Sequence, residues 1–177
     1  MRTVAALCVA GNSVYKSMPG VECWDAARDV RTFDLDCPVV THAPCRAWSA
    51  FCAHQAKVPE GEKELALLCA DHLRRNGGVF EHPAHSRAFQ AAGLPLPGQR
   101  LADLWTVEVW QAWWGYSMMK KTWLCFSRID PENIVIPHRD HIVRGDRRRQ
   151  QVMSKNQRAA TCPAFAAWLV AAARTVS

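Results

Sequence analysis

The sequence lacks any run of about eighteen apolar residues, the length that a membrane-spanning helix requires. It also lacks low-complexity tracts, and its hydrophobic content of 49% is too high for a wholly disordered chain. The apolar run Val4–Ala10 is too short, and carries too little preceding charge, to favour a signal peptide over a strand. We therefore expect residues 1–177 to form a single domain with one sizeable core and no membrane partner.

The eight cysteines lack the dense spacing of a small disulfide-bonded scaffold, and no two of them form a CxxC pair. Scattered cysteines of this kind are typical of mostly buried thiols in a reducing cytoplasm. Three His/Cys pairs have ligand-like spacing, but none belongs to a complete zinc frame, so we expect no metal site. The three pairs are His42-x-x-Cys45, His82-x-x-His85 and His138-x-x-His141.

Short apolar runs alternate with helical patterns along the chain, which predicts an α/β fold with a mainly parallel sheet. The predicted parallel strands are Val4–Ala10, Val21–Trp24, Pro38–His42 and Val79–Phe80. The predicted helices are Arg46–Ala56, Glu62–Arg75 and Pro163–Arg174. Two β-rich runs, Val107–Trp113 and Lys121–Ser127, predict an antiparallel hairpin at one edge of the sheet.

Cys45 is the first candidate for chemistry, because it directly follows a predicted strand and precedes a predicted helix. The carboxyl end of a parallel strand is where ligands bind in open α/β sheets. A helix N-terminus and the neighbouring Arg46 would both favour the thiolate and lower the pKa of the thiol. The pattern predicts a nucleophilic cysteine, with a buried corner cysteine as the alternative reading.

Glu81 is the second candidate, because it ends the next predicted parallel strand and so falls on the same sheet edge as Cys45. A thiolate beside a carboxylic acid can attack an electron-poor ring that the acid holds and protonates. A surface glutamate before the turn at Pro83 is the alternative reading. We expect the two side chains to share one cleft.

These segments resemble the catalytic core of the cytosine-C5 DNA methyltransferases, and in particular small phage and prophage proteins related to them. The resemblance rests on Pro44-Cys45 after a strand, on Glu81-His82-Pro83 after the next strand, and on three later segments. Those segments are Gln111–Gly115, Lys120–Leu124 and Arg158–Pro163. The sequence departs from the family in having His82 where the ENV motif has asparagine, and in lacking an Arg-x-Arg pair after the hairpin.

The resemblance implies a single-domain, Rossmann-like methyltransferase-type fold that binds S-adenosylmethionine. It implies that Cys45 attacks C6 of cytosine and that Glu81 holds the ring edge. The cofactor would lie at the turn Gly11-Asn12, which has one glycine where the family has several, with Asp25 on the ribose hydroxyls. The acid near the adenine would be Asp34 or Asp36.

The net charge of +6 and the basic segment Arg139–Lys155 favour DNA as a partner. The candidate phosphate-binding residues are Arg46, Arg144, Arg147, Arg148 and Arg149. The alternatives to DNA cytosine modification are an enzyme acting on a pyrimidine nucleotide and a non-catalytic phage protein that binds DNA or a host protein. A homo-oligomer also stays open, and the compartment would be the cytoplasm of a bacterial host.

Five of the eight tryptophans cluster around the predicted hairpin. Aromatic faces can stack on an extruded base, but buried core positions are the commoner role. We expect about three of the five to lie in the core. The five are Trp105, Trp110, Trp113, Trp114 and Trp123.

Overall fold

The computed structural model describes residues 1–49, 57–117, 119–137 and 160–177. Seven strands form one mixed sheet in the order β2-β1-β3-β4-β7-β6-β5. The strands are β1 (Val4–Leu7), β2 (Val21–Trp24), β3 (Val39–Thr41), β4 (Gly78–Pro83), β5 (Arg100–Leu101), β6 (Leu104–Trp110) and β7 (Lys121–Ser127). The helices are α1 (Glu64–Asn76), α2 (Ala88–Ala91) and α3 (Pro163–Ala173). The predicted α/β class is confirmed.

The first four strands are parallel, with β1 pairing to both β2 and β3 and with β3 pairing to β4. This confirms the prediction that the four apolar runs form one parallel sheet. The chain places β2 on one side of β1 and then crosses to β3 on the other side. The gap between β1 and β3 is therefore a topological switch point, where open α/β sheets bind their ligands at the carboxyl edge.

The antiparallel half of the sheet follows from β7, which pairs with β4 on one side and with β6 on the other. The hairpin is confirmed, although its first strand begins at Leu104 and ends at Trp110. The next residues, Gln111–Trp114, form a 3₁₀ segment that ends at Gly115, whose φ of +84° is in the left-handed region. That turn brings the start of β7 back beside β4.

Side chains alternate between two cores on the two faces of the sheet. One face packs against α3 through residues such as Val79 and Leu124, and the other packs against α1 through residues such as Phe80 and Cys125. Three of the five hairpin tryptophans are buried, as predicted, and these are Trp105, Trp113 and Trp123.

The helix predicted over Arg46–Ala56 differs in the structure. A 3₁₀ segment covers only Arg46–Trp48, and Ser49 is extended with φ −62° and ψ 130°. Residues 50–56 lie outside the described part of the chain. The first strand is also shorter than predicted, because Cys8 has a φ of +59° that ends the extended backbone after Leu7.

Candidate functional site

Cys45 lies four residues beyond the end of β3, at the carboxyl edge of the parallel strands, and it is exposed. It caps the 3₁₀ segment Arg46–Trp48, which offers one short turn where the sequence predicted a long helix. The predicted lowering of its pKa is wrong. Partial loss of water around the thiol, and then the negative charge of Glu81, raise the pKa of Cys45 against the opposing charges of Lys120 and Arg46.

Glu81 lies within β4 and is buried. The expectation that it ends the strand is wrong, because antiparallel pairing with β7 extends β4 to Pro83. Alternation along β4 places Glu81 on the face that carries Val79, opposite the face of Phe80. Its negative charge raises the pKa of the Cys45 thiol, and both residues lie at the carboxyl edge of the parallel strands.

Three side chains compensate the buried charge of Glu81. His42 Nδ1 lies 3.0 Å from Oε2, Gln111 Nε2 donates to Oε1 across 3.1 Å, and Lys120 Nζ lies 4.0 Å from Oε1. Burial by itself would raise the pKa of Glu81, but Lys120 and His42 outweigh it and hold that pKa at about 2. Glu81 is therefore ionised at neutral pH. In this state it accepts hydrogen bonds, and the expected role of proton donor needs a proton from elsewhere.

Residues that carried only a motif resemblance in the sequence meet around Glu81. Gln111 is buried in the 3₁₀ segment after β6 and also donates to Thr122 Oγ1 across 3.1 Å. Lys120 directly precedes β7. Two of the three later motif segments thus converge on the carboxylate of the ENV-like segment, because β7 pairs with β4.

Sequence reasoning missed Tyr15 and assigned His42 only a ligand-like spacing. Tyr15 is buried in the 3₁₀ segment Val14–Ser17, and its hydroxyl lies 2.8 Å from His42 Nε2. Burial, and then the charge of Glu81, raise the pKa of Tyr15 well above its ordinary value, so the phenol keeps its proton. The position of His42 directly after β3 was the one available signal, and the sequence offered none for Tyr15.

Two of the predicted cofactor positions, Gly11 and Asn12, form an exposed turn just beyond β1 at the same sheet edge as Cys45. No described atom lies within 4 Å of the place where a Cβ on Gly11 would stand, so its backbone is open to approach. This turn and Cys45 flank the switch point.

Asp25 directly follows β2, and its carboxylate is engaged within the chain. It accepts a hydrogen bond from Lys16 Nζ and from the backbone N–H groups of Ala27, at 2.8 Å, and Arg28, at 3.0 Å. These hydrogen bonds, that of Lys16 first, lower the pKa of Asp25 to about 2. The carboxylate is ionised, as binding of ribose hydroxyls requires, but Lys16 shares it.

Asp36 is not brought to this edge. It precedes β3, whose first residue is Val39, and therefore lies at the amino edge of the parallel strands, away from Cys45. Asp34 and Asp36 line a cavity of about 230 Å³ beside His72 and Arg75. The expectation that Asp36 shares the cofactor site with Asp25 is wrong, because the strand direction puts these two residues at opposite ends of the parallel strands.

The predicted phosphate-binding residues lie mostly outside the described part of the chain. The four arginines at positions 144, 147, 148 and 149 all lie outside the described residues. Arg46 is described, and its Nε lies 2.8 Å from Glu62 Oε1 while about half of its side chain stays exposed. It is therefore placed beside Cys45 with its charge partly paired.

Within the described ranges, no group of three or more His, Cys, Asp or Glu side chains is placed to hold a metal ion. His82 stacks on Phe80, and His85 packs against the ring of Trp123. The third pair with ligand-like spacing, His138 and His141, lies in the part that the structure leaves undescribed. In the described residues, no helix has the length and hydropathy that a membrane crossing needs.

The sequence matches no known family model, no curated protein and no solved structure. The fold and the site therefore define the class of this protein only as an α/β domain with a mixed seven-stranded sheet and a polar cluster at the carboxyl edge of its parallel strands.

Proposed function

We propose that this chain is a methyltransferase-like protein that modifies C5 of cytosine in DNA, with Cys45 as the nucleophile and Glu81 as the group that holds the ring edge. The observation that carries the proposal is the convergence of the motif residues Gln111 and Lys120 on Glu81, beside Cys45, at the carboxyl edge of the parallel strands. Three regions of the sequence meet there, around Cys45, around Glu81 and between Gln111 and Lys120.

The chemistry of the cluster suits a cytosine ring. The ionised carboxylate of Glu81 can accept from the exocyclic amino group, and the ammonium of Lys120 can donate to a ring carbonyl. Addition of Cys45 Sγ to C6 would make C5 nucleophilic, which an aromatic pyrimidine carbon otherwise is not. The raised pKa of Cys45 means that the thiol must lose its proton when the ring binds.

The residues near the switch point fit S-adenosylmethionine in part. The open backbone of Gly11 and the ionised carboxylate of Asp25 could hold the amino-acid and ribose portions, respectively. When bound, this cofactor supplies an electrophilic methyl group. Asp25 can contact a ribose only if Lys16 releases or shares the carboxylate. The ion pair between Lys16 and Asp25 is the observation that favours the second candidate, a non-catalytic protein that keeps the fold to bind DNA or a host protein.

Covalent trapping tests the nucleophile. DNA containing 5-fluorocytosine, incubated with the protein and S-adenosylmethionine, should give a covalent adduct by intact-mass spectrometry, because fluorine cannot leave C5 as a proton does. Cys45→Ser should abolish the adduct. Cys37→Ser is the matched control, since Cys37 is half-buried before β3 at the other edge of the sheet, and this variant should retain the adduct. An adduct that persists in Cys45→Ser would contradict the proposal.

Binding measurements separate the two candidates. Calorimetry should detect S-adenosylmethionine binding in the wild type and weaker binding in Asp25→Asn. For DNA, neutralisation of about three phosphates by the basic segment predicts that the logarithm of affinity falls with the logarithm of salt at a slope of roughly −2 to −3. Replacing Arg144, Arg147, Arg148 and Arg149 by alanine should flatten that slope. DNA binding without cofactor binding would favour the non-catalytic protein.

A further inference from the structure

Tyr15, His42 and Glu81 form a continuous hydrogen-bonded chain from the core to the candidate site. The hydroxyl of Tyr15 lies 2.8 Å from His42 Nε2, and His42 Nδ1 lies 3.0 Å from Glu81 Oε2. Tyr15 is fully buried, and the rings of Tyr15 and His42 are 5.1 Å apart between centroids. Contacts at both ring nitrogens fix the orientation of the imidazole.

The proposed reaction must deliver a proton to N3 of the cytosine ring, and the ionised carboxylate of Glu81 carries none. When Cys45 Sγ adds to C6, the S–H bond breaks, the S–C6 bond forms, and the π electrons of C5=C6 move through C4 to N3. N3 must then gain a proton, while the thiol proton leaves to water. Glu81 is ionised, so it must itself receive a proton before it can give one to the ring.

We propose that His42 is a positioning residue that passes this proton to N3 through Glu81 Oε2, an inference that rests on the proposed function. The imidazolium form of His42 breaks its Nδ1–H bond as Oε2–H forms, and Oε2–H then breaks as N3–H forms. His42 stays neutral with its remaining proton on Nε2, donated to the oxygen of Tyr15. Tyr15 loses no proton, consistent with its raised pKa.

Titratable groups from four segments lie in the site that His42 and Glu81 share. Glu81 and His82 lie on β4, Tyr15 lies on the segment before β2, Lys120 precedes β7, and Cys45 follows β3. Because the Cys45 thiolate and the imidazolium are both required, the rate should rise and then fall with pH.

Exchange of the C5 hydrogen of cytosine with solvent tests this inference without methyl transfer, because addition at C6 is sufficient for exchange. The probe is DNA carrying tritium at C5 of cytosine, in single- and double-stranded form. His42→Asn keeps an N–H near Oε2 but cannot transfer a proton. We expect it to slow exchange at least about 100-fold, the range of general acid catalysis, and to remove the fall at high pH. His85→Asn changes an exposed histidine that packs against Trp123, and it should leave the exchange rate and its pH profile unchanged.

Tyr15→Phe keeps the buried ring and removes the acceptor at His42 Nε2. The imidazole then loses one of the two contacts that orient it, so exchange at C5 should slow. Imidazole ¹⁵N spectra of the free protein provide a readout without substrate. They should show a proton on His42 Nδ1 that responds to Glu81→Gln.

The outcomes separate the two proposals. Exchange that requires Cys45 but keeps its rate and pH profile in His42→Asn would overturn the role of His42 and leave the proposed function intact. An unprotonated Nδ1 in the ¹⁵N spectra would also overturn that role alone. Absence of exchange in the wild type on both forms of DNA would overturn the proposed function and the inference with it.

Discussion

The amide nitrogen of Gln111 lies 3.1 Å from Glu81 Oε1, and this hydrogen bond ties the connection between β6 and β7 to the carboxylate of β4. The same nitrogen lies 3.1 Å from Thr122 Oγ1. Gln111 is buried, so it links the hairpin to the candidate site away from water. The position of Glu81 therefore depends on the fold of the hairpin as well as on its own strand.

Replacing Gln111 by alanine should destabilise the protein by about 2 kcal/mol, because a buried carboxylate loses one of its donors. Urea unfolding measures the change. The control is Gln90→Ala on the exposed side of α2, which should change stability by less than about 0.5 kcal/mol. Equal effects of the two substitutions would contradict the structural role assigned to Gln111.

Glu81→Gln should lower the pKa of the Cys45 thiol, because the charge of Glu81 is one of the causes that raise it. The rate of Cys45 alkylation by iodoacetamide, measured against pH, should shift to lower pH in this variant. Glu108→Gln is the matched control, since Glu108 is engaged by Lys121 and Trp123 on another part of the sheet. An unchanged profile in Glu81→Gln would show that the two side chains do not share a site.

His82 should make stability depend on pH between about 6.5 and 4. Burial lowers its pKa to about 4, against the opposing charge of Glu81, so the unfolded chain binds a proton in this window that the folded chain does not. Stability is therefore full above the unfolded pKa and falls as pH decreases towards 4, by up to about 3 kcal/mol. Urea unfolding across this range measures the slope.

His82→Asn, which restores the ENV-like asparagine, should remove most of that slope. The pKa of His72 is also lowered, first by burial, so a smaller slope should remain in the variant. His85→Asn should keep the wild-type slope. A slope that survives in full in His82→Asn would contradict the burial of a neutral imidazole at this position.

Gly78→Ala should prevent or severely weaken pairing of β3 with β4. Gly78 has a φ of +124°, and an added Cβ would stand 2.0 Å from the carbonyl oxygen of Val39. We expect a loss of roughly 3 kcal/mol or more in urea unfolding. Gly98→Ala is the control, because φ there is +81° but no described atom lies within 4 Å of the added Cβ. It should cost about 1 kcal/mol, and an equal cost at both positions would contradict the close approach at Gly78.

The sheet order could be predicted from the sequence only in part. Four short apolar runs ending in polar residues indicated parallel strands, because a strand buried on both faces reads as a continuous apolar run. The hairpin was visible from β-branched and aromatic residues on both sides of Gly115. The sequence did not predict that β7 pairs with β4, because strand pairing is decided by contacts between residues that lie far apart in the chain.

By itself the sequence determined the α/β class, the four parallel strands and the placement of Cys45 and Glu81 at one edge, because these follow from local apolar patterns and from strand direction. Only the tertiary structure decided the electrostatics of the site. Burial and the charge of Lys120 act on the pKa values of both Cys45 and Glu81, and His42 acts on that of Glu81. Lys120 and His42 reach the site from other segments. Tyr15 lies 66 residues before Glu81 in the sequence, yet it joins the same hydrogen-bonded chain because β1 and β4 flank β3 in the sheet.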